Sequence, residues 1–111
     1  MKVVGIVAEY NPFHCGHAAM IEACRGDGAT HVVAVMSGNF MQRGSVAIMD
    51  KRSRTAAALQ CGVDLVLELP VPWAVASAER FAYGGVSVLH ALGVVDSLCF
   101  GAECTDRQQF L

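Results

Sequence analysis

Four short apolar runs punctuate the chain: Val3 to Ala8, His31 to Met36, Asp64 to Leu69 and Asp96 to Phe100. A strand with one wet face alternates apolar and polar positions. These runs are nearly continuous instead, which is the pattern of strands buried on both faces. Between them, helical spacing predicts helices over about Gly16 to Cys24, Lys51 to Cys61 and Ala78 to Leu92. Asp50 and Ser77 are suited to cap the second and third helices, and Gly62 and Gly93 fall just past their ends. Strand and helix alternate, with connections long enough for crossovers, so the expected fold is α/β: a Rossmann-like parallel sheet with helices on both faces. The stretches Ser37 to Met49 and Pro70 to Val75 follow neither period and are expected to be long loops, the usual seat of a ligand in such a domain.

Composition narrows the picture only a little. A chain of 111 residues has room for one core, so residues 1–111 are expected to form one domain. No apolar run approaches the roughly 18 to 20 residues of a membrane span. The segment Met1-Lys2-Val3-Val4-Gly5 runs straight into a strand and lacks the regions of a signal peptide, so a cytoplasmic location is expected. The five cysteines, Cys15, Cys24, Cys61, Cys99 and Cys104, are odd in number and include no C-x-x-C pair. That speaks against a disulfide framework or a zinc site and predicts reduced, mostly buried thiols. A net charge of −2 gives no global footprint for nucleic acid.

The chemistry is concentrated after the first strand, in Glu9-Tyr10-Asn11-Pro12-Phe13-His14-Cys15-Gly16-His17. A strand, a tight loop and a helix amino terminus follow in that order. A helix start presents unpaired backbone N–H groups and partial positive charge, which suits phosphate. His14 and His17 add nitrogen donors, and Gly16 lets the backbone approach an anion closely. Charge that develops on the non-bridging oxygens at the α-phosphorus of ATP can be held by such fixed donors without a protein nucleophile. In a doubly wound sheet the crevice opens at the carboxyl ends of the strands, where the winding reverses. A strand order of 3-2-1-4 sets the loop after the fourth strand, with Gly101, beside the two histidines.

His-x-Gly-His directly after a first strand, preceded by Asn-Pro, resembles the signature of the HxGH nucleotidylyltransferase superfamily. Further stretches narrow the likeness: Gly5 to His14, Val35-Met36-Ser37-Gly38-Asn39-Phe40, Gln42-Arg43-Gly44, Asp50-Lys51, Gly62 to Val66, Glu68-Leu69-Pro70 and Ser97 to Gly101. Over nearly its whole length the chain resembles the amino-terminal portion of the tRNA(Met) cytidine acetate ligase family. That resemblance implies an ATP-dependent ligase that activates acetate as acetyl-adenylate and acetylates the wobble cytidine of elongator tRNA(Met). It implies that ATP is held by Val7, Ala8, Glu9, Tyr10, Asn11, Pro12, Phe13, His14, Cys15, Gly16, His17, Ala18, Ala19 and Met20, with Gly101 near the nucleoside. His14 and His17 are then the catalytic pair at the phosphates. Cys15 occupies the free position of the motif and is expected to be a spectator thiol, since no base is spaced to activate it. The family's chains run well past the point matching Leu111, with a second nucleotide-binding signature and most of the tRNA surface there, which implies an incomplete chain here.

Other residues carry two readings each. Arg43, Lys51, Arg52 and Arg54 form the main basic cluster; they either contact pyrophosphate or tRNA backbone, or form a solvated helix face. Trp73 either stacks on a base or anchors a loop. Magnesium is expected with ATP, and Glu9 and Asp64 are the carboxylates considered for it, although no protein metal site is spelled out. His31 and His90 are expected to be structural. Two other function classes remain open: a small-molecule nucleotidylyltransferase using the same histidines, and a nucleotide-binding module without turnover.

Overall fold

Each apolar run becomes a strand. The computed structural model describes residues 1–10, 13, 15–40, 47, 49–74, 77–100 and 103–106. Within them β1 (Val3–Ala8), β2 (His31–Ser37), β3 (Leu65–Leu69) and β4 (Ser97–Phe100) lie parallel in the order β3-β2-β1-β4. The chain passes from β1 through α1 (Cys15–Gly26) to β2, and through α2 (Lys51–Gln60) to β3. It then returns through α3 (Val71–Ala74) and α4 (Ala78–Leu92) to the far side of β1. The winding therefore reverses between β1 and β4, the point at which a doubly wound sheet opens a crevice.

Alternation along the strands builds two cores. Val4, Ile6, Val32, Ala34 and Met36 pack with Ile21 and Cys24 of α1 and Ala58 of α2. Val3, Val33 and Val35 face the other way, onto Ala74 of α3 and Phe81 and Leu89 of α4. Both faces are covered, which is why the runs carry so few polar residues. The expected punctuation is present: the Asp50 side chain accepts from Ser53 N at 2.8 Å, that of Ser77 accepts from Arg80 N, and Gly93 closes α4 at φ 79°.

The structure departs from expectation in three places. The stretch from Pro70 is not all loop; its carbonyl accepts from Trp73 N and Ala74 N and nucleates α3, with Pro72 in the first turn, where a missing N–H costs nothing. A fifth strand, β5 (Glu103–Asp106), pairs antiparallel with β4 and adds an edge to the sheet. Its sequence has charged ends and no apolar run, so periodicity gave no sign of it. Finally, Cys99 is disulfide-bonded, and the β4–β5 register sets Cys104 opposite it, against the expectation of thiols throughout. Cys15 and Cys61 are free but exposed, whereas Cys24 is buried with its sulfur 2.7 Å from that of Cys99.

Helix α4 approaches β1 closely because Gly85 has no side chain; a Cβ there would meet Val7, with Cγ2 at 2.7 Å. Alanine in a helix interior ordinarily gains about 0.8–1.0 kcal/mol over glycine. Overpacking a tight contact costs about 1–3 kcal/mol. Gly85→Ala is therefore expected to lower the melting temperature, whereas Gly26→Ala, with nothing within 4 Å of its Cβ, raises or preserves it. Parallel thermal unfolding of the two variants checks the difference in sign.

Candidate functional site

The β1 backbone ends its pairing at Ala8, and the chain turns at Tyr10 with φ 52°, in the left-handed region that favours glycine. Such a residue persists only where its surroundings over-determine it. Here they do: Tyr10 is 1% exposed. Its ring stands edge-on to Phe13 and to His17, each at a centroid distance of 4.8 Å, and Phe13 lies 5.4 Å from His17. The strained turn thus supplies the ring that fixes the His17 imidazole. Burial, and then the proximity of Cys24, pushes the Tyr10 phenol up to about 12. Among the described residues its hydroxyl has no hydrogen-bond partner. Removing an unpartnered buried hydroxyl is neutral or stabilising, by up to about 1 kcal/mol. Tyr10→Phe is accordingly expected to keep or raise the unfolding midpoint in urea, and a fall of comparable size contradicts the burial described.

Helix α1 starts at Cys15, so Gly16 and His17 lie in its first turn, directly beyond the carboxyl end of β1. Cys15 and Gly16 are exposed, His17 and Ala18 are half-buried, and no acidic residue occupies that turn. A helix start carries partial positive charge, and the first turn of this one has no carboxylate to repel an anion. Val7, Ala8, Glu9, Tyr10, Phe13, Ala19 and Met20 surround this corner in sequence. Asn11, Pro12, His14, Gly101 and Arg43 lie outside the described residues.

The basic cluster does not behave as one unit. Lys51 Nζ makes a half-exposed ion pair with Glu68 at 2.8 Å, and its backbone N–H donates to Asn39 Oδ1. Both flank an open groove of about 400 Å³ between α2 and the sheet, walled by Met36, Leu59 and Val66 with Arg52 beside them. Arg54 fits neither sequence reading. It is 0% exposed, on the buried stripe of α2 four residues before Ala58, and its guanidinium donates to main-chain carbonyls at the carboxyl edge of the sheet. Burial pushes its pKa down from the ordinary arginine value, and the carboxylates of Asp50, Glu9 and Glu68 oppose that shift.

Asp64 is removed from the metal question by its position. It precedes β3, at the amino edge, and its Oδ2 accepts from Val32 N at 2.8 Å and from Arg25 Nη2 at 2.6 Å. Those donors hold the carboxyl below its usual range against the opposing effect of burial. Trp73 anchors α3 to α4: the Arg80 guanidinium lies 5.5 Å from its ring centre, Tyr83 stands beside it, and Gly84 leaves room for it. His31 is exposed at the head of β2 and bonds Thr30 Oγ1, and His90 is exposed in the last turn of α4.

A strand end, a strained aromatic turn and a Gly-His helix start thus come together at the switch point of the parallel sheet. Residues 1–111 match the family described as HIGH nucleotidyl transferase. The chain belongs to that family. It is 55% identical to the tRNA(Met) cytidine acetate ligase of Clostridium kluyveri, over 96% of this chain and 26% of the relative. For the enzyme of the same name from Syntrophotalea carbinolica the identity is 57%, over 96% of this chain and 25% of the relative. The crystal structure of Thermotoga maritima TmcAL bound with alpha-thio ATP matches at a TM-score of 0.84 and 52% identity, covering 88% of this chain and 24% of that one. Its apo form matches at 0.85 and 51% identity, covering 90% and 24%. The chain thus spans about a quarter of the length of the relatives it matches, their amino-terminal portion. The likeness to tRNA(Met) cytidine acetate ligases, the HIGH nucleotidyl transferase type and the strand order expected from the motifs are borne out.

Proposed function

We propose that residues 1–111 form one ATP-binding domain serving a cytoplasmic, ATP-dependent tRNA(Met) cytidine acetate ligase, with acetate and elongator tRNA(Met) as the other substrates. The observation that carries the reading is the match of this fold, at 52% identity, to a relative whose crystal holds alpha-thio ATP, taken with the position of the Gly16-His17 helix start at the switch point. ATP lies with its phosphates against that start, within the segment Val7 to Met20, and Gly101 stands near the nucleoside. Arg43 and Lys51 serve as outlying phosphate or tRNA contacts.

In this reading an acetate oxygen attacks the α-phosphorus, the bond to pyrophosphate breaks, and acetyl-adenylate forms. The cytidine amine then attacks the acetyl carbonyl, AMP leaves with the electron pair, and the amine gives up a proton. His14, His17 and the helix N–H groups hold the charge that builds on the phosphoryl oxygens, a role that rewards fixed geometry over nucleophilicity. The Tyr10 and Phe13 rings supply that fixity for His17. Magnesium, bound with ATP, would offset phosphate charge. The described residues bring no three ligating side chains together, and Asp64 faces the other edge, so they do not build a site for the ion and the steps above do not depend on one.

Calorimetric titration of ATP into the protein and into its His14→Ala, His17→Ala double variant tests the reading, followed by acetate-dependent pyrophosphate exchange. Binding that the double variant loses, with exchange that requires acetate, supports it. Adenylylation of a phosphorylated precursor without acetate points instead to a small-molecule nucleotidylyltransferase, and binding without either reaction to a module lacking turnover.

A further inference from the structure

The last rung of the β1–β2 ladder pairs Ala8 with Met36. One residue further on β1 has ended, while Ser37 still pairs with Leu69 of β3, so Glu9 and Ser37 are not matched to each other in the β1–β2 ladder. Arg54 Nη1 joins the two, donating to Glu9 O at 2.8 Å and Ser37 O at 2.9 Å. Nη2 donates to Gly38 O, and Nε donates to Met49 O at 2.9 Å, just ahead of α2. One planar group therefore ties together the loop that leaves β1, the loop that leaves β2 and the entry to α2. Only a guanidinium has the fork of donors to do so.

All four acceptors are neutral, and among the described residues no carboxylate accepts from Arg54. The carboxylates of Asp50, Glu9 and Glu68 favour the charged form from nearby, but burial outweighs them, and burying a charge without a directly bonded counter-ion is costly. Water or a hydroxyl could satisfy such carbonyls at less expense, so a buried charge at this edge calls for a reason. Glu9 immediately precedes Tyr10, the strained residue whose ring positions His17. The group that fixes Glu9 O thereby fixes the start of that turn, and its charge lies beneath a crevice where a polyanion is expected.

We infer that Arg54 is a positioning residue for the nucleotide: its buried guanidinium holds the ends of β1 and β2 in the geometry that receives ATP phosphates. The inference rests on the ATP-binding reading above and extends it to a residue that touches no substrate.

The test compares Arg54→Lys with Val63→Ala in the full-length protein, below the melting temperature of both. Lysine keeps the charge but cannot span four carbonyls. Val63 is 3% exposed and sits near the amino edge, away from the crevice, so its truncation loses stability without touching the site. Arg54→Lys is expected to weaken ATP binding by at least about tenfold, the scale on which small misplacements act, while Val63→Ala binds as the parent does. Equal ATP affinity in the two variants overturns the inference while leaving the nucleotide site intact; failure of the parent itself to bind ATP overturns the underlying reading, and the inference with it. If Arg54→Lys does not fold, the unsubstituted protein decides: the ¹⁵N signal of Arg54 Nε is expected to shift on adding ATP, and an unmoved signal in a protein that binds ATP sinks the proposal.

Discussion

Replacing His17 with alanine is expected to lower acetate-dependent turnover about a hundred- to a thousandfold, the usual cost of losing one fixed donor to a charged transition state. The loss should show in kcat/KM, because a donor to the phosphates acts on ATP binding as well as on the charge that develops during transfer. The fold should survive. His17 is half-buried in the first turn of α1, and Tyr10 and Phe13 still have each other at 4.8 Å when the imidazole is gone. Pyrophosphate exchange measured beside circular dichroism separates the outcomes. A rate within tenfold of the parent, in a protein of unchanged secondary structure, removes His17 from the chemistry and leaves the helix start as the anion site.

Arg54→Leu is expected to cost at least about 3 kcal/mol of stability, since it strands carbonyls that one side chain now satisfies and each buried unsatisfied acceptor costs about 1–3 kcal/mol. The desolvation of the cation is relieved at the same time, and that offsets part of the loss. Against a total of about 5–15 kcal/mol for an ordinary domain, the remainder is a large fraction. Urea unfolding at 25 °C should show the midpoint falling with little change in slope. A loss below about 1 kcal/mol would mean that water reaches Glu9 O and Ser37 O as readily as the guanidinium does. Leucine removes the whole donor set and so probes the fold; lysine, which keeps the charge, probes the site.

Much of this was legible along the chain. The β1 run, the Asn-Pro turn, the His-x-Gly-His spacing and the caps at Asp50, Ser77 and Gly93 are local signals, and the structure keeps the expected helices and the order β3-β2-β1-β4. Arg54 was grouped with Arg43, Lys51 and Arg52 as a basic cluster. A signal was available, since Arg54 and Ala58 are one helical turn apart on one stripe, but a charge on that stripe reads as solvated until its acceptors are known. By sequence Asp64 stands with Glu9 as a carboxylate for magnesium; its place before β3 puts it at the amino edge with Arg25. Charge and spacing say nothing about which edge of a sheet a residue reaches.

The sequence by itself determined where β1 to β4, α1, α2 and α4 lie, which residues cap α2 and α4, and that a strand and a Gly-His helix start follow one another. Those features depend on neighbours a few positions apart, so period and capping chemistry suffice to read them. Only the tertiary structure decided that Tyr10 turns through positive φ to hold His17, that Arg54 is buried among carbonyls from three segments, that Asp64 serves the far edge, and that β5 closes onto β4. Each of these depends on which distant segment the fold brings alongside, and a buried polar group takes its role from the partners it meets there.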